Sequence, residues 1–482
     1  MSAAWEMVIG LEVHAQLRTD TKAFCRCPTA FGDPPNTNTC PVCLGLPGAL
    51  PVLNARAVAL AARVALALGC TVHERSIFAR KNYFYPDLPK GYQISQFDRP
   101  LATGGVLEIA VDGVASRIGI TRVHLEEDAG KSIHDRYDGA TAVDLNRSGV
   151  PLIEIVSEPD LRTSSQAGAY LRALKQILEY TDVSDVSMEE GSLRVDANVS
   201  ARRRGETTLG TKTEVKNLNS FSAVERALDA EFARQTALLD SGGRVEQMTL
   251  LWDGARGEIR PARSKEGSHD YRYFPEPDLP PLVLTPGDID GHRRSLPELP
   301  AARRSRFVSS YGISVGDAGV LTATRSLGEY YESVAGAAGD ARSAANWVMG
   351  EVLAQANSEK RDLKRIAESP PVAADRLGAL IAMVRAGSLS GSAAKQVFAA
   401  LPASDEAPRD IAARLNLLQV SDDSPLEHWI DEIFAEHPAE AERFQSGERK
   451  LQGVLVGLVM KKSQGRADPK KVNQLLAARL PT

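Results

Sequence analysis

The stretch Gly10-Leu11-Glu12-Val13-His14-Ala15-Gln16 predicts a β-strand with one apolar and one polar face. Side chains alternate across a strand, which places the apolar residues on one face and Glu12, His14 and Gln16 on the other. A half-exposed strand explains this alternation without any function. A His beside a Glu on one strand face is also the beginning of a cation site, and repetition of the pattern on other strands would favour that interpretation.

Three further segments repeat the alternation. Their polar sets are Arg122, His124, Glu126 and Asp128; Arg194, Asp196 and Asn198; and Lys212, Glu214 and Lys216. One solvated face of an antiparallel sheet explains these sets as well as a ligand site does. The mixture is also what a Mg²⁺-phosphate site requires, because oxygen ligands hold the hard cation and Lys or Arg neutralises phosphate. The sequence contains no P-loop and no kinase-type glycine loop after a strand, so a nucleotide would need another arrangement.

Composition restricts the class of protein. The length of 482 residues is enough for about three domains. The formal net charge of -5 argues against a globally basic nucleic-acid binder, so any RNA contact requires a local patch. The sequence shows no apolar run of about 18 residues and no signal-peptide pattern, which predicts a cytoplasmic protein without a membrane span.

Periodicity and proline content predict the fold class. Strand patterns alternate with helices at 54–70, 162–180 and 221–239, and Ser222 with Glu225 is interpreted as the capping box of the third helix. The stretch 275–300 carries seven prolines, which predicts an extended connection. Everything after it has helical periodicity.

We therefore expect an α+β fold in three parts. Residues 1–290 form a cradle domain with a largely antiparallel sheet and flanking helices. Residues 291–405 form an all-α domain, and residues 406–482 form a small helical tail domain.

Four of the five cysteines lie in one loop, 25–43: Cys25, Cys27, Cys40 and Cys43. Two Cys pairs separated by a loop are typical of a Cys₄ zinc site, although the first pair is one residue short of the usual spacing. Four thiolates would complete the coordination, so the zinc would be structural; free thiols are the alternative. The lone Cys70 is interpreted as a small buried residue.

Two other segments have both a functional and a purely structural interpretation. The loop 268–278 combines aromatic, basic and acidic residues, and either packs on the core or covers the cradle as a lid. From Arg443 to Arg479, nine basic residues stand against two acidic ones, which indicates contact with a phosphate backbone or a solvated helical surface. The candidate residues for such phosphate contact are Arg449, Lys450, Lys461, Lys462, Lys470 and Lys471.

The sequence resembles the B subunits of the bacterial aspartyl/glutamyl-tRNA amidotransferases from residue 8 to about residue 480. The stretches that carry the resemblance are Val8-Ile9-Gly10-Leu11-Glu12-Val13-His14, Arg80-Lys81-Asn82-Tyr83-Phe84-Tyr85-Pro86-Asp87, Tyr92-Gln93-Ile94-Ser95-Gln96, Glu126-Glu127-Asp128-Ala129-Gly130-Lys131, the run 151–160 (PLIEIVSEPD), Lys216-Asn217-Leu218-Asn219-Ser220 and the run 270–278 (DYRYFPEPD).

The resemblance implies a ligase that forms a C–N bond as part of a heterotrimer with an amidase subunit (A) and a small subunit (C). In this family the B subunit binds Glu-tRNA(Gln) or Asp-tRNA(Asn) and uses ATP and Mg²⁺ to phosphorylate the side-chain carboxylate. Ammonia, released from glutamine by the amidase, then displaces the phosphate. The family's tail domain grips the tRNA.

The resemblance also implies residue roles. Glu12, His14, Glu126 and Glu127 resemble the family's Mg²⁺-binding set, and Lys81 would face the phosphates as a further catalytic residue. Because Glu126 and Glu127 are adjacent, both could face the site only at a bulge or a strand end. Candidates for nucleotide or substrate contact are Tyr83, Glu154, Asp196 and Lys216. Two rival functions remain, a non-catalytic tRNA-binding scaffold and a metal-dependent nucleotide hydrolase.

Overall fold

The strand Trp5–Gln16 (β1) lies in the middle of the largest sheet and shows the predicted alternation. Leu11, Val13 and Ala15 are fully buried, whereas Glu12 and His14 on the opposite face are partly exposed. The computed structural model describes residues 4–262, 271–420 and 422–480. These residues separate into two compact units, Met1–Leu299 and Pro300–Thr482.

In its described part, the first unit contains all of the named strands and four helices. The remaining strands are β2 Thr71–Val72, β3 Arg75–Ser76, β4 Ala79–Asn82, β5 Tyr92–Ser95, β6 Ala102–Thr103, β7 Val106–Val111, β8 Val114–Glu127, β9 Lys131–Tyr137, β10 Ala140–Asp144, β11 Pro151–Ser157, β12 Leu193–Arg203, β13 Thr213–Leu218, β14 Thr249–Asp253, β15 Glu258–Pro261, β16 Phe274–Pro275 and β17 Leu282–Val283. The helices are α1 Ala55–Ala67, α2 Ser164–Tyr180, α3 Phe221–Asp240 and α4 Pro286–Arg294.

Ten of the described strands form one sheet with the order β15-β14-β13-β12-β1-β11-β8-β6-β2, and β7 pairs with β8. All of these pairings are antiparallel except β13 with β14. Helices α1, α2 and α3 share one hydrophobic core with the apolar side chains of the sheet. Because the helices cover the apolar face, the polar side chains of neighbouring strands collect on the other face. A smaller sheet, β16-β4-β5, carries Lys81.

Two local predictions are wrong. The side chain of Ser220 accepts a hydrogen bond from Ala223 N at 3.1 Å, so α3 begins with Ser220 as its cap and Ser222 lies inside the helix. The region 275–300 is not an extended connection throughout, because it contains α4. Thr285 and Asp288 form the capping box of that helix, and Pro286 occupies the first turn, where its missing N–H has no helical partner to lose.

Among the described residues of the second unit, all of the named elements are helical. Its helices are α5 Pro300–Tyr311, α6 Val315–Leu321, α7 Arg325–Ala338, α8 Ala341–Trp347, α9 Leu353–Ser358, α10 Ala374–Arg385, α11 Gly391–Ala400, α12 Pro408–Arg414, α13 Asp423–Glu436, α14 Pro438–Gln445, α15 Gln452–Lys462 and α16 Pro469–Ala477. A π-helical turn, Val348–Val352, joins α8 to α9, and short 3₁₀ turns lie at Leu363–Arg365, Leu401–Ala403 and Arg449–Leu451. The predicted α+β class with a helical second half is confirmed.

The described residues of the second unit form two separate hydrophobic cores. One extends from Phe307 to Ala412 and therefore includes α12, and the other joins α13 through α16. The division of the chain at 290 and 405 stays a prediction. No helix in the described ranges is long and apolar enough to cross a membrane.

Candidate functional site

Strand register brings four polar side chains into one row across the sheet. His14 on β1 lies opposite Glu154 on β11 and opposite Arg194 on β12. Glu154 in turn lies opposite His124 on β8. Since the row crosses four neighbouring strands, its members face the same side without any special loop conformation.

His14, Glu126 and Glu154 form a compact group at this row. The His14 Nε2 atom lies 3.5 Å from Glu126 Oε1 and 3.5 Å from Glu154 Oε2. One ligand atom from each of the three residues lies within 4.8 Å of the other two. Both glutamates are buried, and His14 is partly exposed. The group therefore offers one imidazole nitrogen and two carboxylates at the accessible face of the sheet.

His124 is a member of this site that was not assigned a role from the sequence. It is buried, and its Nε2 lies 3.2 Å from Glu154 Oε2 and 3.7 Å from Glu126 Oε2. Burial alone would lower the pKa of His124, but close contacts with the two carboxylates raise it to about 9. The alternation that places His124 on the polar face was the signal available in the sequence.

The carboxylates are held in their charged form. Burial alone would raise the pKa of Glu154, but contacts with His124 and His14 lower it below the usual range. The pKa of Glu126 is lowered in the same way, chiefly by His124. Glu126 Oε2 and His124 Nδ1 have no hydrogen-bond partner within the part of the chain that the structure describes. A buried carboxylate oxygen without a donor fits a cation ligand, so the group fits a divalent metal ion.

Positive side chains surround the group. Burial alone would lower the pKa of Lys81, but the charges of Glu126 and Glu154 raise it, so the ammonium is charged beside the carboxylates. Arg122 Nη2 lies 3.9 Å from Glu154 Oε1, and Arg194 Nη2 donates to Asp128 Oδ1 at 3.0 Å. The two carboxylates are suited to hold a cation. The three positive side chains are suited to neutralise phosphate oxygens next to that cation.

The other predicted residues of the sheet lie on the same face but outside the three-residue group. Glu12 accepts a hydrogen bond from Asn198 Nδ2 at 2.9 Å, and its pKa is raised by burial and by the nearby negative charge of Glu154. Lys216 Nζ lies 2.7 Å from Asp196 Oδ2 and 2.9 Å from Glu214 Oε1. Glu12, Asp196 and Lys216 thus extend the polar face beyond the group.

Glu127 lies on the opposite face of the sheet. Strand β8 continues as a regular strand to this residue, which pairs with Pro151 in the register next to Glu126 and Leu152. The Glu127 carboxylate is buried, pairs with Lys90 Nζ and accepts a hydrogen bond from Ile94 N at 2.9 Å. A regular strand presents only one of two adjacent carboxylates to a given face, so Glu127 is outside the group in which the family resemblance had placed it.

The aromatic segment lies beside Lys81. Tyr271–Pro275 runs along β4, where Asn82 Nδ2 donates to Arg272 O at 2.8 Å and Phe274 pairs with Arg80. The rings of Tyr83 and Tyr271 lie 6.1 Å apart, and Lys81 Nζ lies 5.0 Å from the Tyr271 ring centre. Burial raises the pKa of Tyr83. Ser268, His269 and Asp270 of the predicted lid lie outside the described residues.

The four clustered cysteines meet as predicted. One sulfur from each of the four lies within 4.8 Å of the others, and the Sγ atoms of Cys40 and Cys43 are 3.9 Å apart. Four sulfurs about 2.3 Å from a tetrahedral zinc ion are separated by roughly 3.8 Å. Contact with Cys25 and the positive charge of Lys22 lower the pKa of Cys43. The cluster therefore fits zinc, whereas Cys70 is buried elsewhere.

The basic residues of the tail fall into two classes. Lys462 is paired with Glu436 at 2.6 Å and Glu432 at 3.1 Å, and Lys471 is paired with Asp423 at 3.0 Å. These three acids belong to α13. Arg449, Lys450, Lys461 and Lys470 are exposed and form no ion pair with any described residue. The exposed class is free to meet phosphates, whereas the paired class is held by α13.

Comparison with known proteins defines the class to which this fold and site belong. Residues 7–290 match the GatB/GatE catalytic domain, and residues 329–480 match the GatB domain. The aspartyl/glutamyl-tRNA(Asn/Gln) amidotransferase B subunit of Geobacter sulfurreducens is 53% identical over 479 residues, covering 99% of each chain. The proteins of the same name from Moorella thermoacetica and Alkalilimnicola ehrlichii are each 52% identical over 478 residues. The first match covers 99% of this chain and 100% of that protein, and the second covers 99% of each. The chain belongs to the family of aspartyl/glutamyl-tRNA(Asn/Gln) amidotransferase B subunits.

Proposed function

We propose that this chain binds Glu-tRNA(Gln), Asp-tRNA(Asn) or both and converts the esterified amino acid to its amide with ATP and ammonia. The reaction is that of a C–N ligase within a complex that also contains an amidase subunit and a small third subunit. It takes place in the cytoplasm, where aminoacyl-tRNA is made and used. The observation that carries the proposal is the His14, Glu126 and Glu154 group with its surrounding cations, in a chain of this family.

The chemistry explains why acids and cations occur together. A carboxylate reacts poorly with ammonia because its oxygen is a poor leaving group, and phosphorylation converts that oxygen into a good one. Phosphoryl transfer depends mainly on positioning and on neutralisation of charge. Lys81, Arg122 and Arg194 supply positive charge on the polar face, where they can bind phosphate oxygens and the substrate carboxylate.

His14, Glu126 and Glu154 are the residues that would hold Mg²⁺. Bound there, the ion would supply positive charge to phosphate oxygens during transfer. His124 Nε2 lies 3.2 Å from Glu154 Oε2 and 3.7 Å from Glu126 Oε2, where it favours the charged form of both carboxylates. Glu12, Asp196, Lys216 and Tyr83 line the same face and are proposed to contact nucleotide or substrate.

The tail is proposed to bind the tRNA backbone through Arg449, Lys450, Lys461 and Lys470. Their charges are not neutralised by α13, which distinguishes them from Lys462 and Lys471. The cluster of Cys25, Cys27, Cys40 and Cys43 is proposed to hold a structural zinc ion.

The test is ATP-dependent formation of Gln-tRNA by the assembled complex, with ammonium as nitrogen donor to make the amidase step unnecessary. His14→Ala and Glu126→Gln are expected to abolish phosphate release and amide formation together while tRNA binding persists. Glu108→Gln is the matched control, because Glu108 lies on β7 with its side chain 75% exposed. Full activity in both site variants would contradict the proposal and favour a scaffold. ATP hydrolysis that does not respond to aminoacyl-tRNA would favour a nucleotide hydrolase.

A further inference from the structure

The buried pair of Lys90 and Glu127 lies between the cysteine cluster and the proposed metal group. The side chains of Lys90 and Glu127 are 8% and 3% exposed. A buried ion pair is retained at a cost in desolvation, and it is strongly destabilising to remove only one partner. The proposed reaction uses neither residue directly, so the pair requires a separate explanation.

On one side the pair contacts the cysteine loop. A methyl group placed on Gly45 would come within 2.6 Å of Lys90 Cγ, so the loop backbone lies directly on the lysine stem two residues after Cys43. Gly149 lies between Cys43 and Glu127 and forms a second contact between the cysteine loop and the pair. A methyl group on Gly149 would lie 3.6 Å from Cys43 Cβ and 3.8 Å from Glu127 Oε2. A cavity of about 200 Å³ is lined by Cys25, Cys43, Lys90 and Glu127 among others.

On the other side the pair holds the end of strand β8. Strand β6 pairs with β8 at Arg122 and Val123. From there to Glu127, among the strands that the structure describes, β8 has a regular neighbour on the β11 side alone. The missing neighbour is replaced by contacts from β5. Ile94 N donates to Glu127 Oε1 at 2.9 Å, and Gln93 Nε2 donates to Glu127 O at 2.7 Å.

These contacts form a continuous path from Cys43 through Gly45, Lys90 and Glu127 to Glu126. The last two residues are adjacent on β8, and a strand that is fixed at Glu127 also fixes the direction of the Glu126 carboxylate. Displacement of a ligand by a fraction of an ångström is enough to weaken a metal site, which is why residues behind the ligands commonly change metal affinity 10- to 100-fold.

We propose that the Lys90–Glu127 pair positions Glu126 and makes its geometry depend on metal occupancy of the cysteine cluster. Glu127 is a positioning residue in this account and not a metal ligand. The inference rests on the proposed function for its assignment of the metal group.

The experiment measures Mn²⁺ affinity of the full-length protein by electron paramagnetic resonance, with zinc content determined on the same samples. Glu127→Gln and Lys90→Met are expected to weaken Mn²⁺ binding about tenfold with zinc content unchanged. Lys90→Arg keeps the charge and is expected to bind Mn²⁺ within about twofold of wild type. The double variant Lys90→Met with Glu127→Gln removes both charges, so neither remains buried without a partner.

Removal of zinc supplies the second arm, at a temperature where circular dichroism shows that the zinc-free protein is folded. It is expected to weaken Mn²⁺ binding about tenfold in wild type and hardly at all in the double variant, because the path is already interrupted there. An equal response of the two proteins would overturn the proposal. Wild-type Mn²⁺ affinity in Glu127→Gln would do the same.

Glu126→Gln separates this inference from the proposed function. If Glu126→Gln leaves Mn²⁺ affinity unchanged, the metal group itself is wrong and the positioning role falls with it. If Glu126→Gln abolishes binding and Glu127→Gln does not weaken it, only the positioning role is overturned. Complete loss of Mn²⁺ binding in Glu127→Gln, with wild-type Mn²⁺ affinity in Lys90→Met, would instead identify Glu127 as a direct metal ligand and overturn its positioning role.

Discussion

Glu126 and Glu127 are neighbours on β8, and their carboxylates lie on opposite faces of the sheet. Glu126 Oε1 is 3.5 Å from His14 Nε2, whereas Glu127 pairs with Lys90 and accepts a hydrogen bond from Ile94 N. One of these two glutamates can therefore join His14 in a metal group and the other cannot. The third member of the group with His14 and Glu126 is Glu154, which the strand register places directly opposite His14.

The choice of Glu154 as third ligand predicts unequal effects of two similar substitutions. Glu154→Gln is expected to lower Mn²⁺ affinity and amide formation at least about 100-fold, because it removes a buried charged ligand. Glu12→Gln is expected to lower Mn²⁺ affinity less than about tenfold, because Glu12 is bound to Asn198 outside the group. Isothermal titration with Mn²⁺ and the transamidation assay measure the two quantities. Equal losses of metal affinity in both variants would contradict the assignment.

Zinc in the cysteine cluster is predicted to stabilise the first unit. Cys40→Ser is expected to lower zinc content from one equivalent to well below half, with a fall of several degrees in Tm, because a structural zinc ion contributes folding free energy. Elemental analysis of protein purified without added metal and thermal denaturation check this. Cys70→Ala is the control, since Cys70 lies outside the cluster. Protein that holds no zinc with all four cysteines reduced would refute the assignment.

The two classes of tail lysine predict different phenotypes. Lys461→Gln with Lys470→Gln is expected to weaken tRNA binding and to reduce the slope of log affinity against log salt by about 1.5, because each phosphate contact contributes roughly 0.7 to 0.9. Lys462→Gln with Lys471→Gln is expected to change the slope less, because both lysines are paired with acids of α13. Filter binding at several salt concentrations distinguishes the pairs. Identical slopes for the two double variants would argue against the distinction between exposed and paired tail lysines.

The attachment of the aromatic segment to β4 is predicted to depend on Arg80. Its Nε and Nη2 atoms each donate to Glu276 at 2.8 Å, and the Glu276 side chain is completely buried. Arg80→Met leaves that carboxylate without its partner and is expected to lower the free energy of unfolding by about 3–5 kcal/mol. Arg80→Met combined with Glu276→Gln is expected to cost less than the single change. Chemical denaturation gives both values, and a single variant as stable as wild type would disprove the role.

Much of the site followed from alternation along strands. The polar faces at Glu12, His14, His124 and Glu126 were predicted because side-chain direction on a strand depends only on sequence parity. The clustering of the four cysteines was predicted from their spacing. Side-chain direction on a strand and the spacing of cysteines are both local properties, so each can be read from a short stretch of sequence.

The remainder depends on pairing between strands that are distant in sequence. Glu154 was expected to contact nucleotide or substrate, but its place beside His14 and His124 follows from the pairing of β11 with both β1 and β8, and no pattern near residue 154 specifies those partners. His124 was on the predicted polar face, but its contact with Glu154 follows from the same register. The ion pairs of Lys462 and Lys471 do not follow from the charge of residues 443–479, because the acidic partners lie on α13.

His14, Glu126 and Glu154 are proposed to hold the divalent cation of the reaction. Anomalous diffraction from crystals of the complex soaked in Mn²⁺ would locate that cation. We expect one strong anomalous peak about 2.2 Å from a His14 ring nitrogen and from carboxylate oxygens of Glu126 and Glu154, absent in Glu126→Gln. A peak bound by Glu127, or by Glu12 without Glu154, would contradict this assignment.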